Sequence, residues 1–462
     1  MKHSYTLVIA LALAGCAQMK EAPDRQALIA PERIGLAGDI PVNGEGWPAP
    51  QWWQRYRDPQ LNALVDQALR DAPSLAVAEA RLHLGDSGAQ LADANRGPAV
   101  ALAADAERLQ LSENGFSSLF TRLDPTTGGP HGRWYTEGTI GLLGSYTLDV
   151  WGRKRAQFTA AVGQRNALRA ERDQAALLLV GAVTQTYCRI QTDYATLVLL
   201  QRARRLMQDL QQAHQERYAR GIAPRQPVET ARAQLLTIEQ QISAVEDRLL
   251  QSREALRAQV GAGPSPLALE ARALPTTLGM LPPALDYRLL ARRPDLQAWR
   301  WSVQASLSEI ETARAAFYPS FDIRAFIGFN AIHLGDLFSK SGTQMSLVPG
   351  LTLPIFDSGR LNAELAISKS QNEIRIAQYN QAVLTAVAEV AQTALALEGL
   401  QRQRKLQDAK VESVRFTSAS AHAQLERGLG DRLHDIDPNY SCCASRSSRL
   451  PCIAASCWQK LA

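Results

Sequence analysis

Seven histidines and six cysteines are the side chains of this 462-residue chain best suited to metal binding or nucleophilic chemistry. The histidines (His3, His83, His131, His214, His333, His422 and His434) are scattered, and no HExxH, GxSxG or phosphate-loop pattern occurs. The cysteines are Cys16, Cys188, Cys442, Cys443, Cys452 and Cys457. Zinc sites use paired CxxC or CxxC/HxxxH spacings, which Cys442-Cys443 with Cys452 and Cys457 does not provide. A secreted disulfide framework spreads its cysteines along the chain, whereas four of these fall in the last 21 residues. Cys188 stands alone in an apolar helical stretch, as a buried small hydrophobe does. The reading is of a chain that is not an enzyme, with no catalytic residues, no metal site and no cofactor.

Cys16 offers a different chemistry. Lys2 is followed by a mostly apolar run from Tyr5 to Leu13 and then by small residues, the layout of a signal peptide over 1–15. The competing reading is a short transmembrane anchor, but the run is about ten residues, roughly half of what a bilayer needs. Leu13-Ala14-Gly15-Cys16 resembles a bacterial lipobox, which makes Cys16 the lipidated first residue of the mature chain. Ala17, where inner-membrane retention favours Asp, points to the outer membrane. An acyl anchor holds a protein at a leaflet without spanning it.

The charge balance of 50 basic against 45 acidic residues leaves only +5, and no basic tail or aromatic-plus-basic stripe appears, so nucleic acid is not an expected partner. No window holds about 18–20 apolar residues without a polar interruption, which excludes a polytopic helical membrane protein.

The elements that must carry any function come in two copies. Pro73-Ser74-Leu75 and Pro98 match Pro294-Asp295-Leu296 and Pro319 at an offset of 221. Thr147-Leu148-x-Val150-Trp151 matches Thr352-Leu353-x-Ile355-Phe356 at 205; Gly152-Arg153 matches Gly359-Arg360, and Arg220-Gly221 matches Arg427-Gly428, both at 207. Each copy reads helix, strand, loop, strand, very long helix, tip, returning helix. The first helix starts at Asp58-Pro59, breaks near Pro73 and stops at Gly97-Pro98; its counterpart runs from Asp295 to Ala316.

Residues 319–331 alternate Phe321, Ile323, Ala325, Ile327 and Phe329 with Asp322, Arg324, Phe326 and Gly328. Residues 138–150 place Ile140, Leu142, Tyr146, Leu148 and Val150 on one face, and 344–355 place Met345, Leu347, Leu351, Leu353 and Ile355 on one face; 99–110 alternates more weakly. Strands of about 10–13 residues, apolar on one side, suit a transmembrane β-strand, and also a half-buried strand of a soluble sandwich. No proline occurs in the 68 residues from Gly152 to Ala219, and the stretch from Gly359 to Arg427 matches it. Leu235, Ile238, Ile242, Val245 and Leu249, like Val383, Val387, Val390 and Ala394, step by three and four, placing a narrow seam against a partner helix. The chain therefore divides into an anchored extension (16–57), a first repeat (58–261), a proline-rich linker (262–285), a second repeat (286–437) and a tail (438–462).

Four strands cannot close a membrane barrel, and lipid tolerates no open edge, so strands from several chains must join. Three chains supplying four each would make a barrel of about 12 strands with a passage, continued by the helical hairpins as a tube.

Four runs carry a family resemblance: Asp149-x-Trp151-Gly152-Arg153, Ala291-Arg292-Arg293-Pro294-Asp295-Leu296, Ala313-Arg314-Ala315-Ala316-Phe317-Tyr318-Pro319-Ser320 and Leu353-Pro354-Ile355-Phe356-Asp357-Ser358-Gly359-Arg360. With the lipobox and the duplicated plan, they resemble the TolC/NodT-type outer membrane efflux lipoproteins over residues 1–437; the stretch 292–338, with Ile332-His333-Leu334, resembles the MdtP type. The resemblance implies a homotrimeric channel-tunnel, anchored in outer membrane lipid. It would passively release drugs or toxic small molecules handed over by a periplasmic membrane-fusion adaptor and an inner-membrane efflux transporter. It places the adaptor-facing, gating tips at Tyr218, Arg220, Gly221 and Ile222 and at Arg427, Gly428 and Leu429. The family's Tyr-x-x-Gly matches Tyr218-x-x-Gly221, while Leu425 replaces the Tyr in the second tip, and a tip Asp common in relatives falls on Pro227. The same residues also read as plain turn formers, and Arg217, Arg220, Arg225, Arg427 and Arg432 as a solvated basic face.

The tail departs from the plan. The repeat predicts a returning helix after Gly428, but Pro438 and Pro451 interrupt it, the heptad steps vanish, and cysteines and serines cluster. A changed reading frame near residue 437 accounts for this, with a genuinely divergent tail as the alternative; a changed frame would leave the second hairpin without its return arm. A lipid-anchored periplasmic scaffold or adaptor is the rival reading; it shares the anchor and hairpin and leaves the paired strands unexplained.

Overall fold

A computed structural model describes residues 19, 27–28, 51–110, 134–263, 267–273, 292–429 and 432–458. The signal peptide, Cys16 and most of the linker lie outside these residues. The described chain forms seven α-helices and four strands: α1 Pro59–Asp71, α2 Pro73–Ala94, β1 Ala99–Gln110, β2 Trp134–Leu148, α3 Arg153–Ala219, α4 Gln226–Gln259, α5 Pro294–Ala315, β3 Ser320–Ala331, β4 Thr343–Thr352, α6 Arg360–Glu426 and α7 Arg432–Trp458. The duplicated plan is visible in the lengths. α3 and α6 both hold 67 residues, roughly 100 Å of helix each. Their starts and ends differ by the same offset, 360 − 153 = 426 − 219 = 207.

The chain divides into two units. One contains residues 83–167 and 299–377 and holds the sheet. β1, β2, β3 and β4 pair in that order, all antiparallel. The strand edges differ slightly from those read off the alternation. β2 begins at Trp134 and stops at Leu148, and β4 stops at Thr352, so Val150, Leu353 and Ile355 lie beyond the ladders. Pro354 has no N–H to continue β4, and Asp149 turns away to cap α3. Its two carboxylate oxygens accept the N–H groups of Lys154 and Arg155, each at 2.9 Å. Asp357 does the same for α6, accepting from Gly359 (3.0 Å) and Leu361 (2.8 Å). Beside the sheet, the Ser306 hydroxyl and the Asn372 amide meet at 2.8 Å, both buried.

The other unit contains residues 28–82, 168–298 and 378–462. α1 starts as its sequence dictates: Asp58 Oδ1 accepts from Gln60 N (2.9 Å) and Leu61 N (3.3 Å), and Pro59 is the first helical residue. Its buried Leu61, Leu64, Val65 and Ala68 form one helical stripe. They pack with Val180, Val183 and Ile190 of α3 and Leu249 and Leu256 of α4. The Tyr187 hydroxyl donates to Asp58 Oδ2 at 2.5 Å, so one carboxylate both caps α1 and ties it to α3. Burial, and then the Asp58 carboxylate, raise the Tyr187 pKa, which keeps this donor protonated. The α4 seam is buried at Ile238, Ile242, Val245 and Leu249, as the three-four spacing predicts. On α6 the predicted seam is covered only in part: Val383 is buried, while Val387, Val390 and Ala394 are half-buried.

The tail corrects the sequence reading. α7 runs from Arg432 to Trp458 through both Pro438 and Pro451, so the second hairpin has a return arm. An interior proline costs about 3 kcal/mol of helix propensity. Tertiary contacts offset this. Ile436 and Cys443 are buried in a cluster with Leu200, Ala203 and Met207 of α3 and Ile238, Ile242 and Val245 of α4. Polar ties join α7 to α6: Gln407 Nε2 donates to the Ser445 carbonyl (2.7 Å), and Ser418 Oγ to Asn439 Oδ1 (2.6 Å).

Candidate functional site

Two regions carry the chemistry of a conduit, the sheet and the hairpin tips. In the sheet, the register decides which side chains share a face, because directly opposed residues project to the same side. One face carries the rows Val100–Gly144–Ala325–Leu347, Leu102–Leu142–Ile327–Met345 and Leu148–Phe321–Leu351. It is apolar throughout its middle, yet open to solvent in the single chain: Leu102 is 70% exposed and Met345 78%. Within the ladders, the apolar sets read from alternation in the three clearer strands all fall on this face, and the register adds the weakly patterned β1 to it.

The opposite face carries Ser145–Arg324, Asp105–Thr139–Asn330, Glu107–Glu137 and Thr147–Asp322, with Leu143, Phe326 and Val348 as apolar members. Its polar groups are cross-linked. Thr147 Oγ1 donates to Asp322 Oδ1 at 2.7 Å, and Asn330 Nδ2 donates to Glu137 Oε1 at 2.8 Å and Thr139 Oγ1 at 3.0 Å. Gly141 and Gly328 oppose each other here, and a Cβ on Gly328 would sit 2.3 Å from the Ile140 carbonyl oxygen. The close approach of the two strands requires glycine at that position. A sheet with an apolar outer face, a polar inner face and unpaired edges at β1 and β4 is a wall segment of a water-filled membrane barrel. Below the ladders, Trp151 stacks on Tyr318 (centroids 4.9 Å apart) and donates its indole N–H to the Pro319 carbonyl at 2.8 Å. Tryptophan and tyrosine favour the membrane–water interface, where one end of the ring is wet.

The tips have matching backbones. In the first, Gly221 adopts φ +69°, its N–H bonds to the Tyr218 carbonyl (2.9 Å), and the Ile222 N–H bonds to the Arg217 carbonyl (2.9 Å). In the second, Gly428 adopts φ +71°, with Gly428 N to Leu425 O (3.0 Å) and Leu429 N to Gln424 O (2.9 Å). Both are left-handed helix stops of the Schellman type, which glycine adopts without a Cβ penalty. The stops leave Tyr218, Arg220, Ile222, Arg427 and Leu429 exposed. Ile222 and Leu429 are apolar and 64% and 75% exposed, so neither tip is shielded by its own hairpin. Thus Tyr218, Arg220, Gly221 and Ile222 lie together on one turn, and Arg427, Gly428 and Leu429 on the other. Pro227 lies in the first turn of α4.

Sequence reasoning singled out the Arg-Pro-Asp motif without a role for it. Arg293 forks onto both oxygens of Asp295 (3.1 and 2.8 Å) and also reaches Glu389 of α6 at 2.8 Å, so the motif fastens the start of α5 to α6. The repeat could have signalled this, because the position matching Arg293 at offset 221 is the buried Ala72, and the ion pair exists in one copy only. Among the described residues no group of three or more His, Cys, Asp or Glu side chains comes together to hold a metal ion.

Residues 64–262 and 285–434 match the profile of the family described as Outer membrane efflux protein. The chain is 42% identical over 441 residues to the multidrug resistance outer membrane protein MdtP of Escherichia coli O157:H7, covering 95% of this chain and 90% of MdtP. It is 40% identical over 407 residues to the multidrug resistance outer membrane protein MdtQ of the same organism, covering 86% and 83%. Its fold superposes on the crystal structure of the outer membrane protein VceC of Vibrio cholerae with a TM-score of 0.75 and 27% identity, covering 90% of this chain and 97% of that one.

Proposed function

Because the chain belongs to the outer membrane efflux protein family, and is therefore an outer-membrane channel-tunnel component of an efflux system, we propose that three copies assemble to form the conduit. Each copy supplies its four strands to a barrel of about 12, wide enough for a passage. The two-faced sheet with open edges carries this reading, since lipid tolerates neither an unpaired edge nor a polar outer face. α6 supports it further. It alone among the described helices contains an 18-residue stretch as long and apolar as a membrane span, and only 17% of that stretch is buried within the chain. Neighbouring copies would cover it.

The cargo is drugs or toxic small molecules, a reading that rests on the names of the MdtP and MdtQ relatives. Transport through the channel is passive, with energy supplied by an inner-membrane transporter and delivery through a periplasmic adaptor. The exposed tips at Tyr218, Arg220, Ile222, Arg427 and Leu429 meet that adaptor, and the acylated Cys16 adds an anchor in the outer membrane. The segment 438–462 remains, on this reading, the product of a changed frame, of which residues 438–458 happen to support a helix; resequencing the corresponding gene segment tests this.

The decisive experiment is density-gradient separation of membranes from cells expressing the full chain, with unboiled gels of each fraction. A heat-sensitive, trimer-sized band in the outer membrane is the expected result. A stable monomer in that fraction would overturn the assembly. Radiolabelled palmitate incorporated by the chain and lost in Cys16→Ser tests the anchor.

A further inference from the structure

The segment joining β3 to β4, residues 332–342, turns back onto the apolar face of the sheet. Gly138 stands in the same row of alternate residues as Ile140 and Leu142. A Cβ on Gly138 would lie 2.6 Å from Leu334 Cδ2 and 3.5 Å from Leu337 Cδ2, so these two leucines lie over that face. Phe338 reports the same side. It meets Phe329, the cross-strand neighbour of Ile140, edge to face with centroids 5.7 Å apart.

The segment is built rather than slack. It contains two short 3₁₀ turns, Leu334–Asp336 and Lys340–Gly342. The Asp336 N–H bonds to the His333 carbonyl at 3.0 Å, and the Gly342 N–H to Ser339 Oγ at 3.2 Å. Gly342 is buried so tightly that a Cβ would fall 2.7 Å from the Leu337 carbonyl oxygen. Even so, Ile332, Leu334 and Phe338 remain 49%, 52% and 71% exposed. A loop facing water gains nothing by holding three large apolar side chains in this way.

We propose that residues 332–342 form a flap at the membrane–water interface outside the barrel, with Leu334 and Phe338 reaching the acyl chains of the outer leaflet and the exposed Asp336 and Lys340 left in the wet headgroup layer, rather than a cap over the mouth of the barrel. Acyl chains fit better than a protein partner because the patch continues the face on which Leu102, Leu142, Ile327 and Met345 stand, the face a barrel turns to lipid. The inference rests on the barrel reading above.

The test places the photoreactive benzoylphenylalanine singly at Phe338, at Leu102 on the apolar face and at Gln344 on the polar face. Each full-length protein is reconstituted into vesicles of phosphatidylethanolamine and phosphatidylglycerol, and unboiled gels verify that each variant assembles. After irradiation, lipid adducts are counted by mass spectrometry. Comparable lipid labelling at Phe338 and Leu102, with none at Gln344, is the expected result. Labelling at Leu102 without labelling at Phe338 would overturn the flap and leave the barrel standing. Loss of labelling at Leu102 itself would overturn the barrel reading and the flap with it.

Discussion

The two helical hairpins share one backbone plan and differ in what holds them. In the first, the return arm α4 buries Val228, Ala231, Ile238, Ile242, Val245, Leu249 and Leu256 along a continuous seam. In the second, the described part of α7 buries Ile436, Cys443 and Ser445, and the arm relies on side-chain hydrogen bonds to α6 and on the first hairpin's own cluster. The stops at the two tips are nearly superimposable in hydrogen-bond pattern. Duplication thus preserved the turn, which needs one glycine, while the arms diverged. The second arm is the weaker one, and local opening concentrates where few apolar contacts are made.

The largest effect should come from the seam. Ile238→Ala leaves a cavity in a cluster that unites α3, α4 and α7, and is expected to cost about 2–5 kcal/mol of stability. Ile436→Ala removes a similar side chain from α7, but is expected to release that arm locally. Limited proteolysis would then cut within 432–458 while the melting of the rest stays near wild type; equal global losses for the two variants would remove the distinction. Next, Pro438→Ala restores a backbone donor inside α7 and is expected to stabilise that arm by up to about 3 kcal/mol. Slower hydrogen exchange in α7, with no change in α4, is the readout.

A smaller effect tests what the hairpins share. Gly221→Ala and Gly428→Ala each force a Cβ into the left-handed region, at about 1–2 kcal/mol. Equal losses of protection in the last turns of α3 and α6 are expected, because the stops are alike; a one-sided effect would show that the surroundings, not the turn, set the strain.

The smallest effect concerns the helix starts. The N–H of Leu361, together with that of Gly359, holds the Asp357 carboxyl below its usual pKa, despite partial desolvation. A carboxyl lowered in the folded state stabilises above its unfolded pKa of about 4, and the contribution is lost as pH falls through the lowered folded value. Protection factors at the first turn of α6, corrected for the intrinsic pH dependence of exchange, should therefore fall on acidification in the wild type, and be already low and less pH-dependent in Asp357→Ala. Asp357 is only half-buried and its bonds reach only the start of α6, so the change is confined to that turn.

Much of this was readable beforehand, for local reasons. Asp58-Pro59 started α1 as capping chemistry requires, 67 of the 68 proline-free residues became one helix, and Gly221 and Gly428 ended theirs because a helix stop draws on a few neighbouring residues only. Alternation in β2, β3 and β4 assigned their faces correctly, since a strand's side-chain period is a property of its own backbone. The tail was misread for the converse reason. Pro438 and Pro451 argue against a helix locally, and only the distant Leu200, Met207, Ile242 and Val245 supply the burial that outweighs them. The role of Arg293 was hidden likewise, since its partner Glu389 lies 96 residues away.

The sequence by itself determined the period of the clearer strands and seams, where the long helices begin and stop, and that the whole plan occurs twice. These follow from dihedral preferences and caps within a few residues. Tertiary structure alone decided the strand register that gathers Leu102, Leu142, Ile327 and Met345 into one row, the return of residues 332–342 onto that face, and the docking of α7. Those outcomes depend on contacts between residues far apart in the chain, where burial and cross-strand pairing outweigh local propensity.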